Sequence, residues 1–178
     1  MQILRCRAKV KVLFLDFDGV LNSMQSRIFW ENIKDQAAFE EQMKTSSGGI
    51  LEQIAMEFCP IALSNMEELI RRTPDLKIVI SSSWRAARTV EELKELFKSK
   101  IISNAIIDKT DSFSNTRGEE IQKWLNEHPK VTSYVIVDDD RNMLESQKDN
   151  FVNTTNLHGF QYGDLLWAER ILGKWKQA

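Results

Sequence analysis

The fold of this chain is decided by the stretch Val12-Leu13-Phe14-Leu15-Asp16-Phe17-Asp18-Gly19-Val20-Leu21-Asn22, in which an apolar run ends in two carboxylates and a glycine. The run is too short to span a membrane, and its density of apolar residues predicts a strand buried on both faces, as in a parallel sheet. Residues two apart in a strand point to the same face, so Asp16 and Asp18 should emerge together, and Gly19 lets the backbone turn aside. Carboxylates this close repel each other unless a cation lies between them. A solvated acidic turn is the alternative for this pair taken alone.

The composition bounds the class of protein. The 178 residues include 24 Lys and Arg against 26 Asp and Glu, which gives a formal net charge of -2. This net charge does not predict a broad positively charged surface of the kind that binds nucleic acid, although a local basic groove is compatible with it. Cys6 and Cys59 lack metal-ligand or redox spacing, which predicts reduced thiols and a cytoplasmic setting. We expect no secretory leader, and no segment approaches the roughly 20 apolar residues of a membrane-spanning helix.

The length predicts a single domain, 1–178, with a helical insertion at 23–58 after the first strand. Two amphipathic pieces are visible in this insertion, one around Phe29 and Ile33 and one around Leu51 and Ile54, with a turn between them. We expect a small cap-like element that stands over the end of the first strand. Two additional core helices are the alternative.

Two further apolar runs also end in polar residues. The run 77–80 leads into Ser81, and the run 134–137 leads into Asp138-Asp139-Asp140. Parallel sheets bind ligands at the carboxyl ends of their strands, which makes Ser81 a candidate hydrogen-bond donor, with ordinary turn chemistry as the alternative. Acids gathered from two strand ends repel by roughly 3–4 kcal/mol for each close pair, and a divalent cation offsets that cost. Oxygen ligands without nearby His or Cys indicate Mg²⁺ rather than zinc.

Several helix boundaries can be predicted from capping patterns. Thr89 and Thr116 each begin the spacing of a capping box, and Asp140 is a plausible cap for a helix that resumes at 142–144. The second box places Arg117 in a first helical turn, where the helix dipole disfavours a cation by roughly 0.3–1 kcal/mol. A bound anion would compensate for this position, and an Arg that points into water is the alternative. A strand at 105–108 and a terminal helix at 164–175 that packs on the domain complete the prediction.

The order of these motifs resembles that of the haloacid dehalogenase (HAD) superfamily of phosphatases. The match covers most of the chain, and its motifs are Asp16 with Asp18, then Ser81, then Arg117 in place of the commoner lysine, then Asp138 with Asp139. More narrowly, the segments 14–22, 81–85, 117–125 and 138–140 are similar to the HAD phosphatase domain of Swiss-army-knife RNA-repair proteins. The resemblance implies an α/β fold, a Rossmann-like three-layer α/β/α domain with a mainly parallel sheet.

The resemblance also implies a reaction. Asp16 is expected to attack phosphorus and form an aspartyl-phosphate, while Asp18 protonates the leaving oxygen and then activates water for hydrolysis. Mg²⁺ is expected on the Asp16 carboxylate, the Asp18 main-chain carbonyl and Asp138, with Asp139 supporting nearby waters. The function implied is that of a Mg²⁺-dependent phosphomonoester hydrolase.

The same resemblance assigns phosphate binding to Ser81 and Arg117, with Lys109 as the alternative to Arg117. Two other classes of protein stay open at this point. One is an inactive binding domain that keeps the fold, and the other is a phosphotransferase that passes phosphate to an acceptor other than water.

The substrate class must be decided by the insertion and the surface loops, because the core motifs contact only the phosphate. A small insertion leaves the site open to macromolecules, and the acidic net charge argues against tight polynucleotide binding. A phosphoprotein is therefore the expected partner, with phosphotyrosine as a candidate because Phe29, Trp30 and Trp84 could form walls for its ring. Each of these aromatic residues has a core position as its alternative. A polynucleotide end is the alternative substrate.

Overall fold

One parallel sheet organises the structure, a computed structural model that describes residues 10–33 and 58–173, with the side chains of 29–33 outside the description. Its strands lie in the order β3-β2-β1-β4-β5, and all neighbouring pairs are parallel. The strands are β1 (Val10–Leu15), β2 (Leu76–Ile80), β3 (Ile106–Lys109), β4 (Val131–Asp138) and β5 (Phe151–Asn153).

The predicted first strand is the centre of this sheet. Four consecutive residues of β1, 12–15, are fully buried, as expected for a strand covered on both faces. Leu13 and Leu15 belong to one core cluster, whereas Val12 and Phe14 belong to the cluster on the opposite face. Two core layers with the sheet between them confirm the predicted three-layer α/β/α fold.

The strand register aligns the three ends that carry polar residues. Leu15 pairs with Ile80 of β2 on one side and with Val137 of β4 on the other. Because the strands are parallel, the residues that follow these three positions leave the sheet at the same level. Asp16, Ser81 and Asp138 are therefore neighbours at one edge.

Helices cover both faces of the sheet. Buried apolar residues of four of them, α2, α3, α4 and α6, belong to the larger core cluster, and Ile121 and Trp124 of α5 belong to the smaller one. Their bounds are α1 (Met24–Ile33), α2 (Pro60–Arg72), α3 (Val90–Glu95), α4 (Lys100–Ala105), α5 (Arg117–Glu127) and α6 (Tyr162–Gly173), with 3-10 helices at Ser83–Ala87 and Glu145–Asn150. None of the helices in the part of the chain that the structure describes is long and apolar enough to cross a membrane.

The capping predictions have mixed outcomes. The box at Thr89 is confirmed, because its hydroxyl accepts from the Glu92 N–H and the Glu92 carboxylate accepts from the Thr89 N–H. The box at Thr116 is wrong, because the Thr116 side chain makes no cap hydrogen bond and Glu119 accepts instead from the Ser114 hydroxyl. Helix α5 nevertheless begins at 117, as predicted.

The predicted helix at 142–144 is also wrong. This segment is not helical, and a 3-10 helix begins only at 145. Gly118 explains why, since its N–H donates to the Asn142 carbonyl and a Cβ built on it would lie 2.5 Å from the Leu144 nitrogen. The segment is held against the start of α5, so Asp140 caps no helix, and its carboxylate accepts from the Asn142 N–H.

The insertion and the terminal helix are described in part. Helix α1 falls inside the predicted insertion 23–58, whereas the predicted turn and second helix of that insertion lie outside the described residues. Helix α6 begins two residues before the predicted position, and Trp175 lies outside the description. Packing of this helix on the domain is confirmed by its buried residues, which are Leu165, Ala168, Ile171 and Leu172.

Candidate active site

The end of β1 is shaped by a glycine. Asp16 follows the strand and is only 4% exposed, and its N–H donates to the Val137 carbonyl at 3.1 Å. Gly19 has a φ of +70°, and a Cβ built on it would lie 2.2 Å from the carboxyl carbon of Asp139. Both observations require glycine, since other residues rarely adopt this φ and would also displace the acid. Gly19 thus lets the Asp139 carboxylate approach the β1 loop.

Three acids converge at this edge of the sheet. Asp16, Asp138 and Asp139 each offer a carboxylate oxygen within 4.8 Å of the others. Burial, followed by the charge of Asp16, raises the pKa of Asp138 to about 7. Burial likewise raises the pKa of Asp16 and that of Asp139. The fold therefore holds these carboxylates together against a strong tendency to take up protons.

Arg117 lies between two of these acids. Its Nη1 is 2.8 Å from Oδ1 of Asp16 and its Nε is 3.2 Å from Oδ2 of Asp138. The second contact is an ion pair without hydrogen-bond geometry, because Oδ2 of Asp138 is buried with no hydrogen-bond partner among the described residues. Although burial opposes it, the charges of Asp138 and Asp16 raise the pKa of Arg117. The guanidinium also donates to the Ser81 carbonyl, and so contacts the last residue of β4 and the residues that directly follow β1 and β2.

The serines after β2 have different surroundings. Ser81 is fully buried, and its hydroxyl has no hydrogen-bond partner in the described part of the chain. The hydroxyl of the next residue, Ser82, accepts from the Trp84 N–H and lowers the pKa of the Asp16 carboxyl, although burial raises that pKa overall. Sequence reasoning singled out Ser81 as the first polar residue after the strand and missed Ser82. A buried hydroxyl without a partner is uncommon in proteins, and it indicates a group that a ligand can satisfy.

Asp18 lies apart from the three clustered carboxylates. Its side chain is 45% exposed. Its Oδ2 accepts from the indole Nε1 of Trp84 at 2.8 Å, and its Oδ1 accepts from Nδ2 of Asn22 at 3.3 Å. The guanidinium of Arg27, on α1, lies 3.7 Å from Oδ1. The metal role predicted for Asp18 involves its main-chain carbonyl, so the position of this side chain does not bear on it.

A second arginine, Arg85, is buried beside the site and was missed by sequence reasoning. It forms an ion pair with Glu120 in which both side chains are only 4% exposed. Its other donors reach main-chain carbonyls, namely those of Ser81, Ser82, Thr110 and Asp111. Oε1 of Glu120 accepts from the N–H groups of Phe113 and Ser114. The pair thus ties the loop that follows β2 to helix α5.

The alternative phosphate ligand, Lys109, is engaged elsewhere. Its ammonium donates to the Arg85 carbonyl at 2.9 Å and also to the Arg88 carbonyl. Arg117, in contrast, contacts the Asp16 carboxylate directly. The geometry favours Arg117 over Lys109 as the cation that would meet a ligand at Asp16.

The donor set fits a hard divalent cation. Three carboxylates converge, one of them has a buried oxygen without a hydrogen bond, and none of the described residues in the cluster is a His or Cys. Such a set of oxygen ligands suits Mg²⁺. The Arg117 guanidinium offsets only part of the negative charge.

The chain matches one family model and is similar to two solved bacterial domains. A model of the family described as the HAD domain in Swiss Army Knife RNA repair proteins matches residues 12–165. The solved HAD domain of effector protein Lem4 from Legionella pneumophila is 18% identical, covering 94% of this chain and 99% of that chain, with a TM-score of 0.47. Effector Ceg4 from Legionella pneumophila, solved with an N-terminal yeast Hog1p sequence, is 18% identical, covering 96% of each chain, with a TM-score of 0.44. No curated protein matches the chain.

Proposed function

We infer that this chain, which belongs to the family of HAD domains found in Swiss Army Knife RNA repair proteins, is a Mg²⁺-dependent phosphomonoester hydrolase that forms an aspartyl-phosphate. One observation carries this proposal. Arg117 contacts the Asp16 carboxylate at 2.8 Å beside the buried Ser81 hydroxyl, which has no partner among the described residues. A nucleophile, a cation and a hydrogen-bond donor thus meet where a phosphoryl group would lie.

The reaction proceeds in two displacements. A carboxylate oxygen of Asp16 attacks phosphorus, the bond from phosphorus to the leaving oxygen breaks, and Asp18 donates its proton to that oxygen. Asp18 then takes a proton from water, whose oxygen attacks the phosphorus of the aspartyl-phosphate. Inorganic phosphate leaves, and the Asp16 carboxylate is restored. Ser81 and Arg117 hold the phosphoryl oxygens through both steps.

The residues that would hold the metal are those of the acid cluster. Asp16 and Asp138 would bind it with the Asp18 main-chain carbonyl, and Asp139 would support its waters. When bound, Mg²⁺ supplies charge neutralisation and alignment of the phosphoryl group. Asp138 is suited to this role because its buried Oδ2 lacks a hydrogen-bond donor among the described residues.

The reaction is tested with a generic aryl phosphate and purified protein. Asp16→Asn removes the nucleophile, and we expect turnover to fall by at least about a thousandfold, as it should with a chelator in the wild-type assay. Asp140→Asn is the matched control, because Asp140 is a neighbouring exposed acid whose carboxylate accepts from the Asn142 N–H. Turnover by Asp16→Asn at the wild-type rate would exclude this mechanism.

We further propose that the substrate is a phosphoprotein in the cytoplasm, where the buried free thiol of Cys59 would stay reduced. The surface beside Asp18 supports a protein substrate. Met24 and Ile28 on α1 are each 51% exposed, and Leu157 is 49% exposed. The N–H of Gln25 donates to the Leu157 carbonyl, so the loop and the helix adjoin. An apolar surface suits the side chains that flank a phosphorylated residue better than it suits a polynucleotide backbone.

A polynucleotide end is the second candidate, and the family description favours it because it names RNA repair proteins. The two substrate classes are distinguished by comparing kcat/KM on phosphotyrosine and phosphoserine peptides, on 3′- and 5′-phosphorylated oligonucleotides, and on sugar phosphates. We expect a peptide to be the best substrate. An oligonucleotide that exceeds every peptide tenfold at moderate salt would overturn the phosphoprotein proposal and leave the hydrolase intact.

A further inference from the structure

The two oxygens of the Asp18 carboxylate are held unequally. Oδ2 accepts one short hydrogen bond, 2.8 Å from the Trp84 indole nitrogen. The contacts of Oδ1 are longer, 3.3 Å from the Asn22 amide and 3.7 Å from the Arg27 guanidinium. Oδ2 is therefore anchored, whereas Oδ1 has the looser partners.

The orientation of the Trp84 indole is itself fixed by packing. Its ring stacks on Phe58 with centroids 5.8 Å apart and meets Phe17 edge to face at 5.4 Å. The Arg88 guanidinium lies 5.6 Å from its centroid. Main-chain contacts anchor the residue as well, since its N–H donates to the Ser82 hydroxyl. The indole N–H is thus aimed at Asp18 by a rigid aromatic cluster rather than by a mobile surface side chain.

We propose that Trp84 is the positioning residue that selects Oδ1 of Asp18 as the oxygen that gives and takes the proton. The proposal rests on the hydrolase function inferred above. An indole nitrogen donates and cannot accept, so a proton on Oδ2 would face the indole hydrogen. Both partners of Oδ1, the Asn22 amide and the Arg27 guanidinium, also donate, but at 3.3 and 3.7 Å they hold this oxygen less firmly than Trp84 holds Oδ2 at 2.8 Å. Oδ1 is therefore the oxygen that can turn toward a substrate, and Trp84 keeps the carboxylate from rotating to exchange its two oxygens. Trp84 contacts Asp18 and no reacting atom.

This role has a consequence that simple packing lacks. A leaving alkoxide, as from phosphoserine, is strongly basic and needs the proton of Asp18 as the bond to phosphorus breaks. A nitrophenolate is a stable anion and leaves without a proton. Loss of the Trp84 N–H should therefore slow the cleavage of alkyl phosphates selectively, whereas loss of packing should slow both substrates alike.

The test is Trp84→Phe, which keeps an aromatic ring and removes the N–H. We measure kcat/KM, which reports the steps through departure of the leaving group, on a phosphoserine peptide and on 4-nitrophenyl phosphate. General acid catalysis raises reaction rates by about 10²–10⁴-fold. We therefore expect kcat/KM on the peptide to fall by roughly tenfold or more when the acid is misplaced. On the aryl phosphate we expect a change of less than about threefold, since its leaving group needs no proton.

Two features keep this test decisive. The ratio of the two kcat/KM values is taken on one preparation, so a partly unfolded variant does not distort it. Phe97→Leu is the matched control, because Phe97 stacks on Phe58 in the same cluster and should leave the ratio unchanged. Trp84→His restores a ring N–H without the indole packing, and its ratio should return toward that of the wild type.

The outcomes separate this inference from the function on which it rests. Equal losses on both substrates in Trp84→Phe would assign Trp84 to packing and overturn the inference, while leaving the hydrolase in place. An Asp16→Asn variant as active as the wild type, or a wild type without turnover on any phosphomonoester, would overturn both.

Discussion

Two arginines lie at the same edge of the sheet, and their surroundings differ in charge balance. Arg85 pairs with a single carboxylate, Glu120, and its remaining donors reach four carbonyls. Arg117 faces both Asp16 and Asp138, and one oxygen of Asp138 has no hydrogen-bond partner among the described residues. The Arg85 cluster is therefore electrically neutral, and its guanidinium has hydrogen-bond acceptors for its donors. The Arg117 cluster has an excess of negative charge.

The difference separates a structural cluster from one prepared for ligands. A buried ion pair with all its hydrogen bonds made is stable as it stands, and breaking it is costly. A buried cluster with excess charge carries a free-energy cost that a cation can relieve. Burial, followed by the charge of Asp16, raises the pKa of Asp138 to about 7, which is the direction expected for such a cluster. We therefore expect the Arg85 cluster to affect stability and the Arg117 cluster to affect ligand binding and turnover.

The largest effect is expected from breaking the balanced pair. Glu120→Gln leaves the Arg85 guanidinium buried without its counter-charge, which should reduce the free energy of unfolding by about 3–5 kcal/mol. Urea denaturation followed by circular dichroism measures the change. Asp111→Asn is the matched control, since it removes a carboxylate from the exposed pair with Lys123 and should change the free energy of unfolding far less than Glu120→Gln does. Equal costs for the two variants would contradict the structural assignment of the Arg85 cluster.

The next effect is stabilisation by metal in the unbalanced cluster. A ligand at a hundred times its Kd stabilises the folded state by about 2.7 kcal/mol. We expect Mg²⁺ to do so at pH 7.5 and to do much less at pH 5, where the proton on Asp138 competes with the metal. Thermal unfolding at both pH values, with NaCl at matched ionic strength, measures the difference. A Tm that rises equally at both pH values would place the metal away from Asp138.

An effect that is smaller for each pH unit is expected in metal-free protein as the pH changes. The pKa of Asp138 is raised from 3.8 to about 7, so between these values the folded state binds more protons than the unfolded chain. The stability that Asp138 contributes is therefore present below pH 4 and is lost as the pH rises toward 7, by up to about 1.4 kcal/mol per pH unit. Other groups titrate in the same range, so the measured quantity is the difference in slope between the wild type and Asp138→Asn. A difference near zero would show that burial does not raise this pKa.

The sequence predicted the frame of the site more fully than its supporting contacts. Strand ends can be read from apolar runs, and parallel pairing brings them to one edge, so Asp16, Ser81 and Asp138 could be placed together before the structure was known. Arg85 and Glu120 lie 35 residues apart, and no local pattern pairs them. Both residues nevertheless lie in segments that carried the family resemblance, 81–85 and 117–125. That resemblance is the sequence feature from which the pair could have been identified. The cap at Thr116 fails for a local reason, since Glu119 accepts from the Ser114 hydroxyl instead. The helix at 142–144 is absent because tertiary contacts with the start of α5 override local propensity.

The smallest effect is expected when one conservative change is made in the unbalanced cluster. Arg117→Lys keeps the positive charge beside Asp16 but cannot contact Asp138 and the Ser81 carbonyl in the same way. With Mg²⁺ bound, the charge of Asp138 is offset by the metal, and a lysine needs only to reach Asp16 and the phosphoryl group. We expect kcat/KM on an aryl phosphate to fall by less than about tenfold, equivalent to 1.4 kcal/mol, and the Tm with Mg²⁺ to change little.

The same change at Arg85 sharpens the comparison. Arg85→Lys leaves three donors where the guanidinium serves Glu120 and four carbonyls, so several buried acceptors lose their partners and the Tm should fall markedly. Arg117→Ala gives the reference for complete loss of the cation, and it should lower kcat/KM well beyond the loss in Arg117→Lys. If Arg117→Lys were as inactive as Arg117→Ala, the planar guanidinium itself would be required, and charge alone would not explain the role of this residue beside Asp16.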